Sequence, residues 1–462
     1  MANITGILNV AKGALSTQQR AIDVTGHNIA NVNTPGYSRQ RATMVTNDPI
    51  SSSNGPIGAG VNVQEIKRIY DRFLENQITT ENANLGRWEA QKGGLEKAEM
   101  VLSASSGYGL GEAMGAFWNA WQDLANNPSG LTERLVLSAK GQTLANSLNT
   151  AHADLIRIQQ DMDKNVEATV TEINRVTDQI ADLNSKIAQI EGKGHNANDL
   201  RDKRDLMLSE LSLMVDVSTS EDSDGSVIVA LRNGRTLVQN DRSWHLSTHN
   251  NASGLQTITW DDGSGNAVDI THTISGGKLK GWIEVRDVLV PGYLAGLDEL
   301  ANHIIEGVNS LHIQGFGLDA STGNAFFNGT SASDMAVDPG ILLDINLIAA
   351  AGSAAGVPGD NTMAIAIADV QNALTMNGDT TTFDDFYHSM ISTLGTDVQA
   401  AVTRFDHETE MVTRLDSYRE SVSGVSLDEE MLNLIKFQHA YEAAARLITT
   451  VDELMETIIA MV

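Results

Sequence analysis

Histidine and cysteine are the first residues to consider for chemistry in this chain of 462 residues, which has eleven histidines and no cysteine. Without cysteine there is no disulfide, no thiolate metal ligand and no cysteine nucleophile. The histidines form no HExxH pattern. His245 and His249 could share one face of a strand, but no carboxylate follows at the spacing of a metal ligand. The sequence therefore predicts neither a metal site nor a cofactor.

Short motifs rich in glycine and aspartate are the second candidates for chemistry. The DSDG stretch begins at Asp222 like a calcium loop, but Leu231 occupies the position of the bidentate glutamate, so a turn explains it better. The GYGLG stretch that begins at Gly107 lacks the strand and spacing of a nucleotide-binding fold. No GxSxG elbow and no P-loop occurs. We therefore predict that the protein is not an enzyme.

Charge and hydropathy narrow the classes of partner. The formal net charge of -28 opposes binding to phosphate backbones, so nucleic acid is not expected as a partner. No apolar run approaches the ~18 residues that a membrane span requires, and membrane insertion is not expected. The first twenty residues do not combine a basic region with an unbroken apolar stretch, so they do not form a cleaved secretory signal.

The N-terminal segment is predicted to be an amphipathic helix that stops abruptly. Its apolar stripe repeats at steps of three and four, at Ile4, Leu8, Leu15, Ile22 and Ile29. The sequence NIANVNTPGYSRQ, residues 28–40, follows. Pro35 and Gly36 suit the central positions of a type II turn, and asparagines bond readily to local backbone. We expect a helix stop and a sharp reversal of the chain.

The C-terminal segment is predicted to be a second amphipathic helix, which begins at the capping box Ser426 to Glu429. Its stripe comprises Leu434, Phe437, Tyr441, Ile448, Val451, Met455 and Ile458. Residues 1–45 carry four basic and one acidic side chain, whereas residues 425–462 carry two basic and seven acidic ones. The two ends are electrostatically complementary, and we expect their helices to pair like a coiled coil.

Between the ends, the spacing of apolar residues predicts a mainly α, elongated, multi-domain protein with an inserted β domain. A continuous stripe from Leu144 to Ile190 predicts a rod-like helix, and a second stripe runs from Phe386 to Val422. The runs SVIVAL, TLVQ, LQTITW and VDITHTI, separated by turn residues, predict strands. We divide the chain into a terminal assembly domain (1–50 and 425–462), a helical-bundle body (51–216 and 286–424, loop-rich over 315–360) and a β-rich insert (217–285).

Several stretches together resemble a known family. They are GHNIANVNTPGYSRQ (26–40), DLRDKRDLMLSEL (199–211), GVNSLHIQGFGLDASTGNAFF (307–327) and the C-terminal sequence that begins SVSGVSLDEE at Ser421. The ANVNTPGY portion is similar to the rod, hook and hook-associated axial proteins of the bacterial flagellum. The SRQ continuation and SGVSLDEE resemble the hook-associated members that form the junction of hook and filament.

This resemblance implies a structural protein that self-assembles at the distal end of the hook and joins it to the filament. It implies export, unfolded, through the flagellar type III apparatus, and an extracellular location. The implied partners are further copies of the chain in a helical ring, the flagellar hook protein, a second hook–filament junction protein, and an export chaperone on the C-terminal helix.

The predicted site is therefore an assembly interface rather than an active centre. Two slender helices leave part of each apolar stripe uncovered, so we expect neighbouring subunits to cover it; a helical pair satisfied within the monomer is the alternative. At the turn, the residues expected to bond within and between subunits are Asn28, Asn31, Asn33, Tyr37 and Arg39, with Pro35 and Gly36 setting the reversal. The alternative is that they only cap and turn within one chain.

Two other functions remain open at this point. The chain could be another hook or rod axial protein, which would cap hook growth or transmit torque. From a different class, it could be a secreted ligand-binding protein or adhesin that acts through the β insert, with the helices as a stalk. An enzyme is the third hypothesis.

Overall fold

The computed structural model describes residues 2–52, 55–103 and 109–461, without the side chains of residues 2, 3 and 50–52. Gly107 and Tyr108 of the GYGLG stretch lie outside the described residues. The helices are α1 Ala2–Ala30, α2 Arg72–Leu102, α3 Leu110–Asn126, α4 Leu131–Glu191, α5 Asn198–Met214, α6 Gly277–Glu284, α7 Val290–His312, α8 Pro339–Leu343, α9 Thr362–Asp369, α10 Phe383–Ser423 and α11 Leu427–Ala460.

The strands are short and belong to small antiparallel sheets. They are β1 Gln40–Thr46, β2 Ile50–Ser52, β3 Gly55–Ile57, β4 Val61–Arg68, β5 Val217–Glu221, β6 Val227–Leu231, β7 Thr236–Gln239, β8 Arg242–Ser243, β9 Leu246–Asn250, β10 Gln256–Trp260, β11 Val268–Asp269, β12 Phe327–Asn328 and β13 Ala336–Val337. The sheet orders are β1-β4, β2-β3, β5-β6-β7-β8, β11-β10-β9 and β12-β13. The predicted fold class, mainly α with an inserted β region, is confirmed.

The α4 helix gives the molecule its length. It has 61 residues, so at ~1.5 Å per residue it extends for about 90 Å. The predicted stripe from Leu144 lies within it, but the helix begins thirteen residues earlier, after Gly130. Leu137 and Ser138 are buried, so the same face of the helix contacts the core from its first turns onward.

Two hydrophobic cores lie in sequence along α4. The first half of the helix packs with α3 and α7, and Phe117, Trp118 and Trp121 of α3 are fully buried there. The second half, from Val166 to Ala181, packs against α5 and the strands of the β insert. A helix of this length is stabilised because a different layer of structure covers each half of its apolar face.

The β insert comprises the four-stranded and three-stranded sheets between Val217 and Asp269. Alternate residues of β6 are buried, as expected for a strand with one face on a core. The predicted runs SVIVAL, TLVQ and LQTITW correspond to β6, β7 and β10, whereas only the first residues of VDITHTI form a strand. Residues 277–284 form α6, because Leu279 and Ile283 at helical spacing face the core and Gly281 packs closely against the α2 backbone at Arg87.

The β1-β4 pair follows α1 directly. The alternation of Val61 and Val63 is typical of the strand that β4 forms, but residues 40–46 show no such alternation. The register shifts between Thr43 and Met44, where Gln64 of β4 is the extra residue of a bulge. This pair connects the terminal helix to the body.

His312, at the end of α7, closes the loop-rich segment 315–360 onto the first core. Its Nδ1 lies 2.7 Å from the carbonyl oxygen of Asn324, and its Nε2 accepts a hydrogen bond of 2.9 Å from the amide of Ala349. The ring is therefore neutral and protonated on Nδ1. Burial lowers the pKa of His312 to about 4.

We predict that this residue makes the protein less stable in mild acid. The pKa is lower in the folded chain than its ordinary value of about 6.5, so the unfolded chain binds more protons and stability falls as pH drops from 6.5 towards 4. Between pH 7.5 and pH 5 the loss from this residue is about 2 kcal/mol. Urea unfolding of His312→Gln should show a smaller pH dependence than the wild type. The control variant His439→Gln, at an exposed position, should show the same pH dependence of unfolding as the wild type.

Candidate functional site

The terminal helices α1 and α11 pack against each other and meet the body at one place. α10 ends at Ser423, and α11 begins after Ser426, whose hydroxyl accepts from the amide of Glu429 at 3.5 Å. Of the two hydrogen bonds in the predicted capping box, the one accepted by the Ser426 hydroxyl is confirmed. α1 ends where α11 begins, so the helices run antiparallel away from a shared base.

Asn28 is the centre of that base. Its Nδ2 donates to the carbonyl oxygen of Gln40 at 2.9 Å and to Oε2 of Glu430 at 3.0 Å. Its Oδ1 accepts from the amide of Gln40 at 2.9 Å and from the hydroxyl of Tyr37 at 2.8 Å. The amide thus uses both donors and both acceptor positions. It joins α1, β1 and α11, although Asn28 and Glu430 are separated by 402 residues in sequence.

The turn after α1 has the geometry expected from its sequence. The amide of Tyr37 donates to the carbonyl oxygen of Thr34 at 3.2 Å, and Gly36, with φ of 75°, occupies the third position of a type II turn. Asn31 caps the helix end by donating to the carbonyl oxygen of His27 at 2.9 Å. Pro35 is exposed at the tip. These bonds within one chain account for part of the motif.

Arg39 and Ser38 attach the next residues to two other helices. The amide of Arg39 donates to the carbonyl oxygen of Ser423 at 2.8 Å, and its guanidinium lies 2.5 Å from Glu429. Within the described residues this is the ion pair that joins the complementary terminal segments. The amide of Ser38 donates to Oδ2 of Asp202 in α5 at 2.9 Å. The segment after the turn is therefore held on both sides.

Acidic residues of α5 complete the base, and the sequence analysis did not identify them as site residues. Arg68 of β4 donates to Asp202 at 2.9 Å and to Asp205 at 2.5 Å, and all three side chains are largely buried. Burial raises the pKa of Asp202 against the opposing effect of Arg68 and the Ser38 amide. Asp199 accepts from the Gln40 side chain at 2.6 Å. The spacing of Asp199, Asp202 and Asp205 by three residues was the signal that one helix face carries them.

The predicted apolar stripes are only partly covered by the pairing of α1 and α11. Val451 is buried, and the half-buried members are Ile4, Leu15, Ile22, Ile29, Leu434, Phe437 and Ile448. Leu8 (41%), Tyr441 (38%), Met455 (39%) and Ile458 (43%) remain exposed. Further exposed apolar residues, missed by the sequence analysis, are Met431, Leu432, Ile435, Leu447, Leu454 and Ile459.

The turn residues differ in whether their side chains are bonded within the chain or exposed to a neighbouring subunit. Asn28, Asn31, Tyr37 and Arg39 are all engaged within the chain, as described above. Asn33 is exposed beside Pro35. Burial, with Asp199 and Asp202 nearby, raises the pKa of Tyr37, so its hydroxyl stays protonated and donates to Asn28. The tip of the turn, rather than its buried base, faces outward.

The histidines and the DSDG stretch that were considered for chemistry have structural roles. His245 lies 2.8 Å from Asp178, whereas His249 contacts Thr259, so these histidines do not share a site. The DSDG stretch is a turn in which Asp224 accepts from the amide of Ser226 at 3.0 Å. Over the described ranges, no group of three or more His, Asp or Glu side chains is placed to hold a metal ion. No helix in the described part of the chain could span a membrane.

Family models match at both ends and in the middle of the chain. The models described as flagella basal body rod protein and flagellar basal body rod FlgEFG protein C-terminal match residues 8–37 and 419–461, which include most of α1 and all of α11. These matches define a flagellar axial protein. The model described as flagellar hook-associated protein FlgK helical domain matches residues 95–327.

Relatives of known name make the assignment more specific. The chain is 32% identical to flagellar hook-associated protein 1 of Bacillus subtilis (strain 168), over 98% of this chain and 97% of the relative. It is 26% identical to flagellar hook-associated protein 1 of Escherichia coli (strain K12), over 99% and 100%. The chain belongs to the family of flagellar hook-associated protein 1.

A solved structure shares the fold. The flagellar hook junction protein FlgK from Burkholderia pseudomallei superposes with a TM-score of 0.67 at 17% sequence identity, over 75% of this chain and all of that one. None of these matches supports the ligand-binding or adhesin hypothesis.

We predict that Asn28→Ala destabilises the base by about 2 to 4 kcal/mol, because the buried Glu430 loses its donor and Gln40 loses both backbone bonds. Urea unfolding would measure the loss, and hydrogen exchange would show faster exchange of the Gln40 amide. The exposed Asn33→Ala is the control and should change stability by less than about 0.5 kcal/mol. Equal effects of the two variants would contradict the central role of Asn28.

Glu75 lies beside the base, near Gly36 and Arg419, around a small cavity of 20 Å³. Burial raises the pKa of Glu75 to about 7, although Arg419 opposes the shift. Because the folded pKa is above the ordinary one, this carboxyl costs stability as pH rises from about 4.5 through 7.

We predict that Glu75→Gln is more stable than the wild type at pH 8 by about 1 to 2 kcal/mol, after allowance for partial exposure, and equally stable at pH 4.5. Glu410→Gln, at an exposed position, should show no such difference.

Proposed function

We propose that the protein is a structural subunit that joins the flagellar hook to the filament, and that it acts by assembly and not by catalysis. The observation that carries this proposal is the terminal helix pair. Its base is fixed to the body by buried hydrogen bonds and ion pairs, whereas large apolar side chains stay exposed along its length. Family membership supports the same role.

Exposed apolar side chains on a helix pair favour association. Leu432 and Ile459 are each about 70% exposed, and both lie on α11. Burying a side chain of this size yields about 1.5 to 3 kcal/mol, so several per subunit are enough to drive packing against neighbouring copies. Exposed apolar surface of this extent is typical of an interaction site. We therefore assign the assembly role to residues 1–50 and 425–462.

The exposed apolar residues of α11 would be covered by different partners before and after assembly. Before assembly an export chaperone would cover the apolar residues of α11. Afterwards further copies of the chain would cover them, with the hook protein on one side and a second junction protein on the other. The proposed location is the extracellular flagellum, reached through the flagellar export apparatus. The body and the β insert would lie outside the helical ring formed by the terminal helices.

Another hook or rod protein is the competing possibility, and location decides between them. The chain, carrying an epitope tag and expressed in cells that lack their own copy, should appear by immunogold electron microscopy at the distal end of each hook. Labelling along the whole hook, or on the rod, would contradict the proposal. Absence of filaments in the untransformed cells is the matching control.

We predict that the double variant Pro35→Ala, Gly36→Ala impairs assembly more than folding. Alanine at φ of 75° costs about 1 to 2 kcal/mol, and it changes the direction in which α1 leaves the body. Incorporation at hook ends should fall at least tenfold, while the helix content of the monomer by circular dichroism is retained.

Gly254→Ala is a matched control, since Gly254 has φ of 79° in an exposed turn of the β insert with no neighbouring atom within 4 Å of an added Cβ. It imposes the same backbone strain away from the turn after α1. Equal loss of folding and assembly in the Pro35 and Gly36 variant, or equal loss of assembly in the control, would contradict the prediction.

A further inference from the structure

A groove of about 720 Å³ lies at the base of the terminal helices, between α1, β1 and the first turns of α11. Its floor includes Val24, Met44, Ile69 and Phe437, and polar side chains form the rim. The volume suffices for several large side chains. It is a shaped surface, mainly polar with an apolar floor, beside the elements that the proposed function assigns to assembly.

Two cations on the rim of the groove have no acidic partner. Arg39 is paired with Glu429, and Glu430 is bound by Asn28. Arg41 and Lys436 are exposed and form no ion pair within the described residues. Arg39, Arg41 and Lys436 line the groove together with Glu429 and Glu430, so the lining has a net charge of +1, and its exposed cations are Arg41 and Lys436.

The C-terminal end of α11 carries acidic and apolar side chains that are complementary to the groove. Asp452, Glu453 and Glu456 are exposed there, and over the described residues none of them forms an ion pair. Residues 2–11 of α1, which run antiparallel to this end, carry no charged side chain that could neutralise them. Leu454 and Met455 are exposed among the acids. We call residues 452–459 the acidic tip.

We propose that the acidic tip of one copy lies in the groove of a neighbouring copy, with its apolar side chains on the floor and its carboxylates against Arg41 and Lys436. The inference rests on the proposed function, because it specifies how copies of the chain contact one another. The tip meets the groove of a different subunit, so the contact is heterologous and repeats from copy to copy. Such a contact builds a ring or a helical array.

The tip cannot fill the groove of its own chain. Glu456 lies nineteen residues beyond Phe437 on the same helix, which at ~1.5 Å per residue is about 29 Å. Cysteines can be bridged only when their Cα atoms are within about 7 Å. A disulfide between groove and tip therefore reports contact between two chains, and the chain has no cysteine of its own to interfere.

The test uses the full chain with Thr43→Cys in the groove and Glu456→Cys at the tip. The variant is assembled at the ends of isolated hooks, oxidised and run on a non-reducing gel. We expect a ladder of linked subunits that reducing agent abolishes. Each single variant alone, and Thr43→Cys combined with the distant Ser247→Cys, should give no ladder.

The outcomes separate this inference from the proposed function. If the wild type does not incorporate at hook ends, the proposed function fails. If the double variant incorporates but gives no ladder, or links to the hook protein instead of another copy, only the placement of the tip is overturned.

Charge reversal decides the case in which the cysteine variants do not incorporate. Arg41→Glu with Lys436→Glu should lower incorporation at least tenfold, as should Asp452→Lys with Glu453→Lys. Combining all four substitutions should restore it to within threefold of the wild type. Lys140→Glu with Glu167→Lys, at exposed positions of α4, is the matched control and should have no effect. Failure of the combined variant to recover, or normal incorporation of either pair, would overturn the inference.

Discussion

The structure depends on one buried amide. Asn28 satisfies two backbone groups of Gln40, the hydroxyl of Tyr37 and the carboxylate of Glu430 at once. A buried carboxylate without a donor is costly, and a helix end without a cap leaves backbone groups unpaired. Both terminal helices meet the body at this residue, and the bonds of Ser38 and Arg39 hold the same junction beside it.

The second constraint is that a long helix requires successive partners. α4 packs with helices over its first half and with the β insert over its second, so the insert is part of the structural core rather than an appendage. Removal of the strands would expose Val166, Ile173 and Ile180, which are almost fully buried. The elongated shape and the inserted sheets are therefore consequences of the same helix.

Much of the fold was predictable because its helices are long and periodic. The stripes of α4, α10 and α11 extend over many turns, and the Ser426 capping box and the Pro35-Gly36 turn have strong local preferences. The strand β1 was not predictable, because its residues do not alternate between buried and exposed along the strand. The helix α6 was assigned to the β insert because eight residues, with Leu279 and Ile283 as their large buried side chains, give too short a pattern to predict a helix.

The site was predictable only in its local part. Sequence identified Asn28, Tyr37 and Arg39 through the turn they surround, but the partner of Asn28 lies 402 residues away and no local pattern connects them. Asp202 and Asp205 likewise meet Arg68 only in three dimensions. The same long separation has a consequence for how the molecule forms. Closing so large a loop carries an entropic cost, and the base cannot be completed until both ends of the chain are present. A chain that ends before Glu430 would lack the acceptor that Asn28 binds on α11, so the closure of the base reports that the start of α11 is in place.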